Sequence, residues 1–530
     1  MSDVTISLPA GWARREARLP PPPRRALAIG QTGAVLVVLL GLWAVWFPHS
    51  PDLAAQVYRE HLFEVSGFSI WDNNWYAGHY LLDYSLFVPP LAALVGLRSV
   101  GVVAAMISTG CFIKLAGPRF GPRAPLASIL FACGAAGDLF IGRITYAVGV
   151  TFAMASVLAA TRGRLRLAAL LSLGCAAASP IAALFLALAA VTDLLVNRVW
   201  RRAVALAAPA LALAILLALA FPAGGYESFS LTSLVPAALS CAVVIAVLPR
   251  SDRLLRVGAG LYLAALILAY VVRTPMGSNA VRLGVLLGPA ILVGAGRRQA
   301  GAGRRALWGR AVAAAVCWQL AGPAQQSVQA SEDPSTQPSY YLPVIGYLDQ
   351  QNEAGPMRIE VAFTREHWDA VALGRRFALA RGWERQLDTQ YDQLFYAPKL
   401  TAAAYHAWLL NDAVRFVVVS DAALDPSSQQ EAALIRRGLP YLRRVFHSSH
   451  WEVFAVVGGR PLLSGPGRLV TLADAGFTLD ARRAGRFVAR IHYTPFWHVT
   501  RGKATVGVSP GGWTAITTSG AGRVTIDAKL

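Results

Sequence analysis

PHSPDLAAQVYREHLFEVSGFSIWDNNWYAGHYLLDYSLFVPP, residues 48–90, is the most polar stretch in the first 325 residues of this chain. It sets Asp52, Arg59, Glu60, His61, Glu64, Asp72, Asn73, Asn74, His79 and Asp83 among Tyr58, Trp71, Trp75, Tyr76, Tyr80 and Tyr84. The run before it, 26–47, is apolar and long enough to cross a bilayer. The stretch therefore reads as a long loop leaving the end of a first membrane span, and that reading decides the fold class.

The rest of the composition agrees. A chain of 530 residues that is 55% hydrophobic and 15% charged is too apolar for a soluble protein of this size. Long Ala, Leu and Val runs continue to about residue 325, whereas from Glu332 onward polar and charged residues are interspersed as in a globular domain. The predicted organisation is an N-terminal tail (1–25), a membrane domain (26–325) with the loop 48–90, a linker rich in Gln, Ser and Pro (326–338), an α/β domain (339–465) and a β-rich domain (466–530). The expected fold is thus a polytopic α-helical membrane protein with a C-terminal extracytoplasmic α/β plus β-sandwich region.

Net charge is +20, yet most arginines of the membrane half sit in short connections between apolar runs, so the charge reports topology and no nucleic-acid partner is expected. Basic residues are nearly all Arg, a composition typical of GC-rich genomes such as those of actinobacteria. The five cysteines lie within apolar runs and form neither a disulfide framework nor a zinc motif.

About eleven spans are predicted: 26–47, 100–115, 126–141, 145–160, 168–178, 181–196, 203–221, 234–248, 257–272, 283–296 and 306–324. Arg14, Arg15, Arg18, Arg24 and Arg25 precede the first, which reads as uncleaved. Further arginines cluster in alternate connections, at 119–123, 162–166, 198–202, 250–256 and 297–305. The positive-inside rule places these in the cytoplasm, and loop 48–90 and the tail outside. This requires a helix break at Ser179-Pro180.

Five charges then remain at the external ends of spans: Asp138, Arg143, Glu227, Arg273 and Arg282. Charge at that depth is costly and points to function. RTPMGSNAVR, residues 273–282, brings two guanidinium forks together with Asn279, a grouping suited to a phosphate. The competing reading is arginine snorkelling to lipid headgroups.

Within the loop, Leu53, Val57, Phe63 and Val65 predict a short amphipathic helix at the membrane surface that starts at Asp52 and ends at Gly67. Beyond it, Trp71, Asp72, Asn74, Trp75, His79 and Tyr80 combine ring faces with hydrogen-bonding groups, as a saccharide pocket requires. The competing reading is an interfacial aromatic belt.

The many spans, the long first loop with an acidic residue just after span one, and the soluble tail resemble the GT-C superfamily of polyprenyl-phosphate-sugar glycosyltransferases. The residues that carry the likeness are Asp52, Tyr58-Arg59, Gly67, Trp71 and Trp75-Tyr76-Ala77-Gly78-His79. Many members have a second acid beside the first, whereas Asp52 is followed by Leu53. That departure leaves Glu60, Asp72 and Asp83 open as alternatives. The resemblance implies a polyprenyl-phosphate-linked sugar donor, an envelope glycan or glycolipid acceptor, and Asp52 as general base in an inverting, metal-independent transfer at the outer face of the plasma membrane. The arginines near the phosphate, Arg143, Arg273 and Arg282, would stabilise the leaving group. The implied substrate-binding set is Glu60, Trp71, Asp72, Asn74, Trp75, His79, Tyr80, Arg143, Arg273, Asn279 and Arg282, with no cofactor. A transporter or flippase and a non-catalytic envelope-assembly scaffold are the rival classes.

In the tail, strands are predicted at 357–364, 415–421 and 451–457, and helices over most of 368–396 and at 401–412 and 428–442. Short strands follow residue 467.

Overall fold

Each of the predicted spans is helical in the computed structural model, which describes residues 23–295 and 302–530. The chain begins with α1 (Pro23–Trp46), α2 (Pro51–Ser66), a short hairpin of β1 (Trp71–Asp72) and β2 (His79–Tyr80), and α3 (Val88–Val95). The bundle continues with α4 (Leu97–Phe120), α5 (Ala124–Phe140), α6 (Ile144–Thr161), α7 (Leu165–Ala178) and α8 (Pro180–Asn197). It is completed by α9 (Trp200–Ala220), α10 (Leu231–Val247), α11 (Arg253–Val271), α12 (Arg282–Ala295) and α13 (Ala302–Glu332). Among the described residues, seven segments are long and apolar enough to cross a membrane, α4 and α5 counting as one, and α7 and α10 are shorter apolar helices. Val37, Val38, Val45, Leu216, Leu219, Leu268 and Val271 are exposed on outer helix faces, where lipid would meet them. The protein is a multi-pass membrane protein. The N-terminal arginines through Arg18, and Arg297 and Arg298, lie outside the described residues.

The break between α7 and α8 falls where proline demands it. Ser179 is extended (φ −157°, ψ 112°), its hydroxyl accepts from the Ala182 N–H, and Pro180 takes the first helical position, where a missing N–H costs nothing.

The predicted linker is not a linker. α13 is continuous through Glu332, and its 31 residues reach about 46 Å, well beyond the roughly 30 Å hydrocarbon layer. Ala and Gln support helix, and burial of Ser327 and Ala330 fixes this end. Asp333 then accepts from the Ser335 N–H and hydroxyl. The Trp46 indole donates to Ser331, and His49 Nδ1 meets the Thr336 carbonyl at 3.0 Å, joining the tops of α1 and α13.

The tail opens with a helix that the sequence reading missed, α14 (Pro338–Asn352). β3 (Arg358–Val361), α15 (Asp369–Ala372), β4 (Ala378–Leu379), α16 (Arg385–Tyr391), α17 (Ala402–Asn411), β5 (Val414–Ser420), α18 (Pro426–Arg436), β6 (Leu442–His447) and β7 (Trp451–Val456) follow. They form a mixed five-stranded sheet in the order β4-β3-β5-β7-β6. Residues 368–396, expected to be mostly helical, are broken into α15, β4 and α16, because β4 adds to the sheet edge beside β3. The helix expected at 428–442 ends at Arg436, and β6 pairs with β7.

Eight short strands complete the chain: β8 (Leu463–Ser464), β9 (Gly467–Ala473), β10 (Gly476–Ala481), β11 (Gly485–His492), β12 (Trp497–Arg501), β13 (Ala504–Val508), β14 (Trp513–Thr518) and β15 (Gly522–Ala528). They form two antiparallel four-stranded sheets, β12-β15-β10-β9 and β13-β14-β11-β8. Their apolar faces meet at Phe477, Leu479, Phe487, Ile491, Ile516 and Ile526.

α2 and the β1–β2 hairpin occupy the junction of all three layers. Ala54, Tyr58 and Leu62, one i, i+4 face of α2, pack into the core of the α/β layer with Trp75 and Tyr76. Trp71 packs into the core of the sandwich. The expected surface helix therefore buries Ala54, Tyr58 and Leu62 on the tail and Leu53 on the bundle, while Val65 stays exposed. Trp75 is fully buried, stacks on Tyr58 at 4.0 Å and donates to the Ala370 carbonyl. Trp75→Ala should destabilise the folded protein by about 3–5 kcal/mol, the range for emptying a large aromatic site. Denaturant unfolding and faster proteolysis of the tail would report it, and a change below 1 kcal/mol would contradict this packing role.

Candidate active site

Asp52 stands in the first turn of α2, after Ser50 and with Pro51 at the first helical position. A carboxylate is favoured there by the exposed N–H groups and dipole of the helix. Its Oδ2 accepts from Arg143 Nε at 3.0 Å and lies 3.7 Å from an Arg282 terminal nitrogen. Arg143 also lies 3.6 Å from Asp138. Three of the five charges expected at span ends thus converge on the loop carboxylate.

Gln56, one turn after Asp52, holds this arrangement and was not foreseen. Its side-chain NH2 donates to the Asp52 carbonyl (3.0 Å) and to the Gly142 carbonyl, and its oxygen accepts from the Thr145 N–H (3.0 Å). Gly142 has φ +86°, and a Cβ there would sit 2.5 Å from the Leu53 nitrogen, so only glycine lets the α5–α6 turn approach α2 so closely. Arg143 leaves that turn already aimed at Asp52. A buried amide satisfied on both sides is visible only in three dimensions.

The two arginines differ. Burial opposes Arg143's charge, but Asp52 and Asp138 outweigh it and raise the guanidinium's pKa. Its charge is committed to these two carboxylates. Arg282 lies over the Tyr146 ring at 5.5 Å. Its Nε and the Tyr146 hydroxyl are both buried without a hydrogen-bond partner among the described residues. Unmet buried donors are costly, and two of them beside a cation form a place for an anionic oxygen.

A cavity of about 320 Å³ lies between α6, α8, α9, α10, α11 and α12. Leu283 and Gly284, which follow Arg282 in the chain, line it together with Tyr262 and with Asp193 and Arg202, paired at 2.6 Å. Phe185 lines it too and makes ring contacts with both Tyr146 and Tyr262. The walls are overwhelmingly apolar.

The other expected site residues lie elsewhere. Trp71, Asp72, Trp75 and His79 are buried within protein, and Asn74 is partly buried. Asn73 donates to the Ala473 and Gly476 carbonyls, and Asn74 donates to Asp474. The Tyr76 hydroxyl donates to the Gly382 carbonyl, the Ala77 carbonyl accepts from the His492 N–H, and the Tyr80 hydroxyl meets Thr494 at 3.1 Å. The polar and aromatic residues of 71–80 thus join the loop to the tail and do not line a saccharide pocket. Arg273 is exposed over the Tyr226 ring, away from Asp52. Asn279 sits in the turn before α12 without a contact to Asp52.

Among the alternative carboxylates, Glu60 lies two turns along α2, its carboxyl raised first by partial burial and then by Glu64. Asp83 is buried near the Arg59–Glu384 ion pair. Burial, and next Glu384, push its carboxyl well up, while Glu384 pairs with the Arg59 guanidinium. Asp72 accepts from the Tyr58 hydroxyl (2.8 Å) and the Asn74 N–H (2.9 Å), yet burial lifts it to about 7. His79, 4.0 Å from it, is lowered by burial to about 3, so this close pair is not an ion pair at neutral pH.

Because the folded state raises Asp72 above its ordinary 3.8, its protonated form stabilises the fold. That stability is complete below the unfolded pKa and is lost as pH rises through about 7. Asp72→Asn, which keeps a hydrogen-bonding partner for Tyr58, should remove this component. The melting temperature of wild type relative to the variant should fall between pH 4 and pH 8, and parallel curves would refute the assignment.

No protein-family model matches the sequence, and no curated protein does. Among solved structures the chain is similar to the arabinofuranosyltransferase AftD from Mycobacteria, at TM-score 0.47 and 14% identity over 96% of this chain and 57% of that one. It is also similar to ArnT from Cupriavidus metallidurans bound to undecaprenyl phosphate, at TM-score 0.44 and 14% identity over 81% of this chain and 98% of ArnT. The chain spans 57% of the length of the AftD structure.

Proposed function

We propose that this protein is a GT-C-type membrane glycosyltransferase. It moves a sugar from a polyprenyl-phosphate donor to an envelope glycan or glycolipid at the outer face of the plasma membrane. The observation that carries the reading is the Asp52 carboxylate beside Arg143 and Arg282, the latter directly before Leu283, which lines an apolar cavity. A polyprenyl chain suits the cavity, and its phosphate suits the unmet donors of Arg282 and Tyr146.

The chemistry follows from these positions. An acceptor hydroxyl oxygen attacks the anomeric carbon as its proton passes to Asp52, and the carbon–oxygen bond to phosphate breaks. Polyprenyl phosphate leaves, its new charge met by Arg282. A single displacement inverts the anomeric centre, and one carboxylate is sufficient. The reading needs no metal ion, since the guanidinium supplies the charge. Arg143 is the positioning residue, held by Gln56 and holding Asp52. The end of the bundle that bears the tail faces outward, because the arginine-rich connections lie at the opposite end.

In assays of purified protein with polyprenyl-phosphate sugars, Asp52→Asn should lower transfer about 10²–10⁴-fold, the usual contribution of a general base. Undecaprenyl phosphate should still bind that variant, and Arg282→Gln should weaken its binding. Undiminished transfer by Asp52→Asn would remove Asp52 from the mechanism.

Gln56→Leu should lower kcat more than it raises donor KM, and the loss should largely vanish in an Arg143→Ala background, because Gln56 acts through Arg143. Additive losses in that double-mutant cycle would make Gln56 merely structural.

A further inference from the structure

Glu227, in the connection between α9 and α10, takes no part in the mechanism above. Its backbone N–H donates to the Thr274 carbonyl (3.1 Å), and its carboxylate accepts from the Ser278 hydroxyl (3.2 Å). Gly277, at φ +40°, passes so close that a Cβ would sit 2.0 Å from the Glu227 carbonyl oxygen. The connection from α11 to α12, which ends at Arg282, therefore fixes the height of Glu227.

The tail fixes it from above. Thr389 of α16 accepts from the Tyr226 N–H (2.8 Å) and donates to the Tyr226 carbonyl (2.7 Å). Gln390 accepts from the Gly224 N–H (2.6 Å), and Gln386 donates to the Pro275 carbonyl (3.1 Å). Just before α16, the Trp383 indole donates to the Pro51 carbonyl at 2.7 Å, one residue from Asp52. The Glu227 carboxylate lies within electrostatic reach of Arg385, Asp52 and Arg282. Burial raises its carboxyl, and Arg385 is the strongest influence drawing it back.

Groups of both signs thus lie around Asp52. On the bundle side, Arg282 and Tyr146 offer donors to an anion. Under α16, the part-buried Glu227 carboxylate would repel an anion but would accept hydrogen bonds from neutral hydroxyls. We infer that Glu227, braced by Ser278 and roofed by α16, binds the hydroxyls of the saccharide acceptor beside Asp52. This rests on the glycosyltransferase reading and adds to it the residue that orients the acceptor.

The test uses full-length protein in lipid nanodiscs and two probes: undecaprenyl phosphate, and a mixture of linear arabino- and manno-oligosaccharides followed by saturation-transfer NMR. Glu227→Gln, isosteric but uncharged, should weaken oligosaccharide binding about ten- to hundredfold, as loss of hydrogen bonds to a charged group does. Its affinity for undecaprenyl phosphate should stay within about twofold, which also reports an intact fold. Glu227→Asp, with its carboxylate drawn back, should fall between. Unchanged oligosaccharide binding in Glu227→Gln would overturn the inference, as would an equal loss for both probes. Wild-type protein that binds undecaprenyl phosphate but no oligosaccharide would overturn the acceptor site and leave the donor reading standing. Failure to bind undecaprenyl phosphate would instead overturn the donor reading.

Discussion

The hairpin at residues 71–80 is the constraint on which the arrangement depends. Two strands of two residues have no independent stability, so the hairpin exists only because both tail layers close on it. The sandwich holds it through Trp71, Asn73 and Ala77, and the α/β layer holds it through Trp75 and Tyr76 and through the Asn74 carbonyl, which accepts from the Leu379 N–H. The same layer takes the buried face of α2. The carboxylate at the far end of α2 is therefore located by contacts with residues some 300 to 400 positions later.

That junction is polar at its centre, which makes it demanding. Arg59, Glu384, Asp83, Asp72 and His79 are taken out of water together, and only some find partners. Burying such groups adds little to stability, but leaving one unmatched is expensive. The cluster meets this by pairing Arg59 with Glu384, while burial pushes the Asp83 carboxyl up and lowers His79 to about 3. A shifted register of tail on loop would lose that match. The cost of mismatch, more than any attraction, selects one docking geometry.

The apolar and backbone parts of this design are legible in sequence, and the long-range polar parts are not. Span positions, the Ser179-Pro180 break, the helix start at Asp52 and the side shared by Arg143 and Arg282 all follow from local pattern and charge bias, whereas α4 and α13 run well past their expected bounds. Trp71, Asn74, Trp75 and His79 were misplaced because a polar, aromatic loop has the same composition whether it faces a sugar or another protein domain. What distinguishes the two is burial against Asp474, Gly382 and His492, which no local window contains. Gln56 was missed for the same reason, since its partners are backbone groups of a turn 86 residues away. Residues 326–332 were mistaken because a Gln- and Ser-containing segment reads as loose unless it is known to continue a helix packed on α1.

Three consecutive tail residues tie the α16 start to its surroundings, two of them to the loop. Trp383 holds the backbone at Pro51, Glu384 pairs with Arg59, and Arg385 faces Asp425 bidentately while lying within reach of Glu227. Because α16 begins at the third of them, any movement of that helix is transmitted to the α2 start and to the connection before α10 together. The tail thus forms one wall of the Asp52 site, and the bundle alone would leave α2 without its buried face and Glu227 without its roof. Under the proposed function, a site whose walls come from two layers would discriminate substrates only while those layers stay docked, which would give docking and specificity the same physical origin.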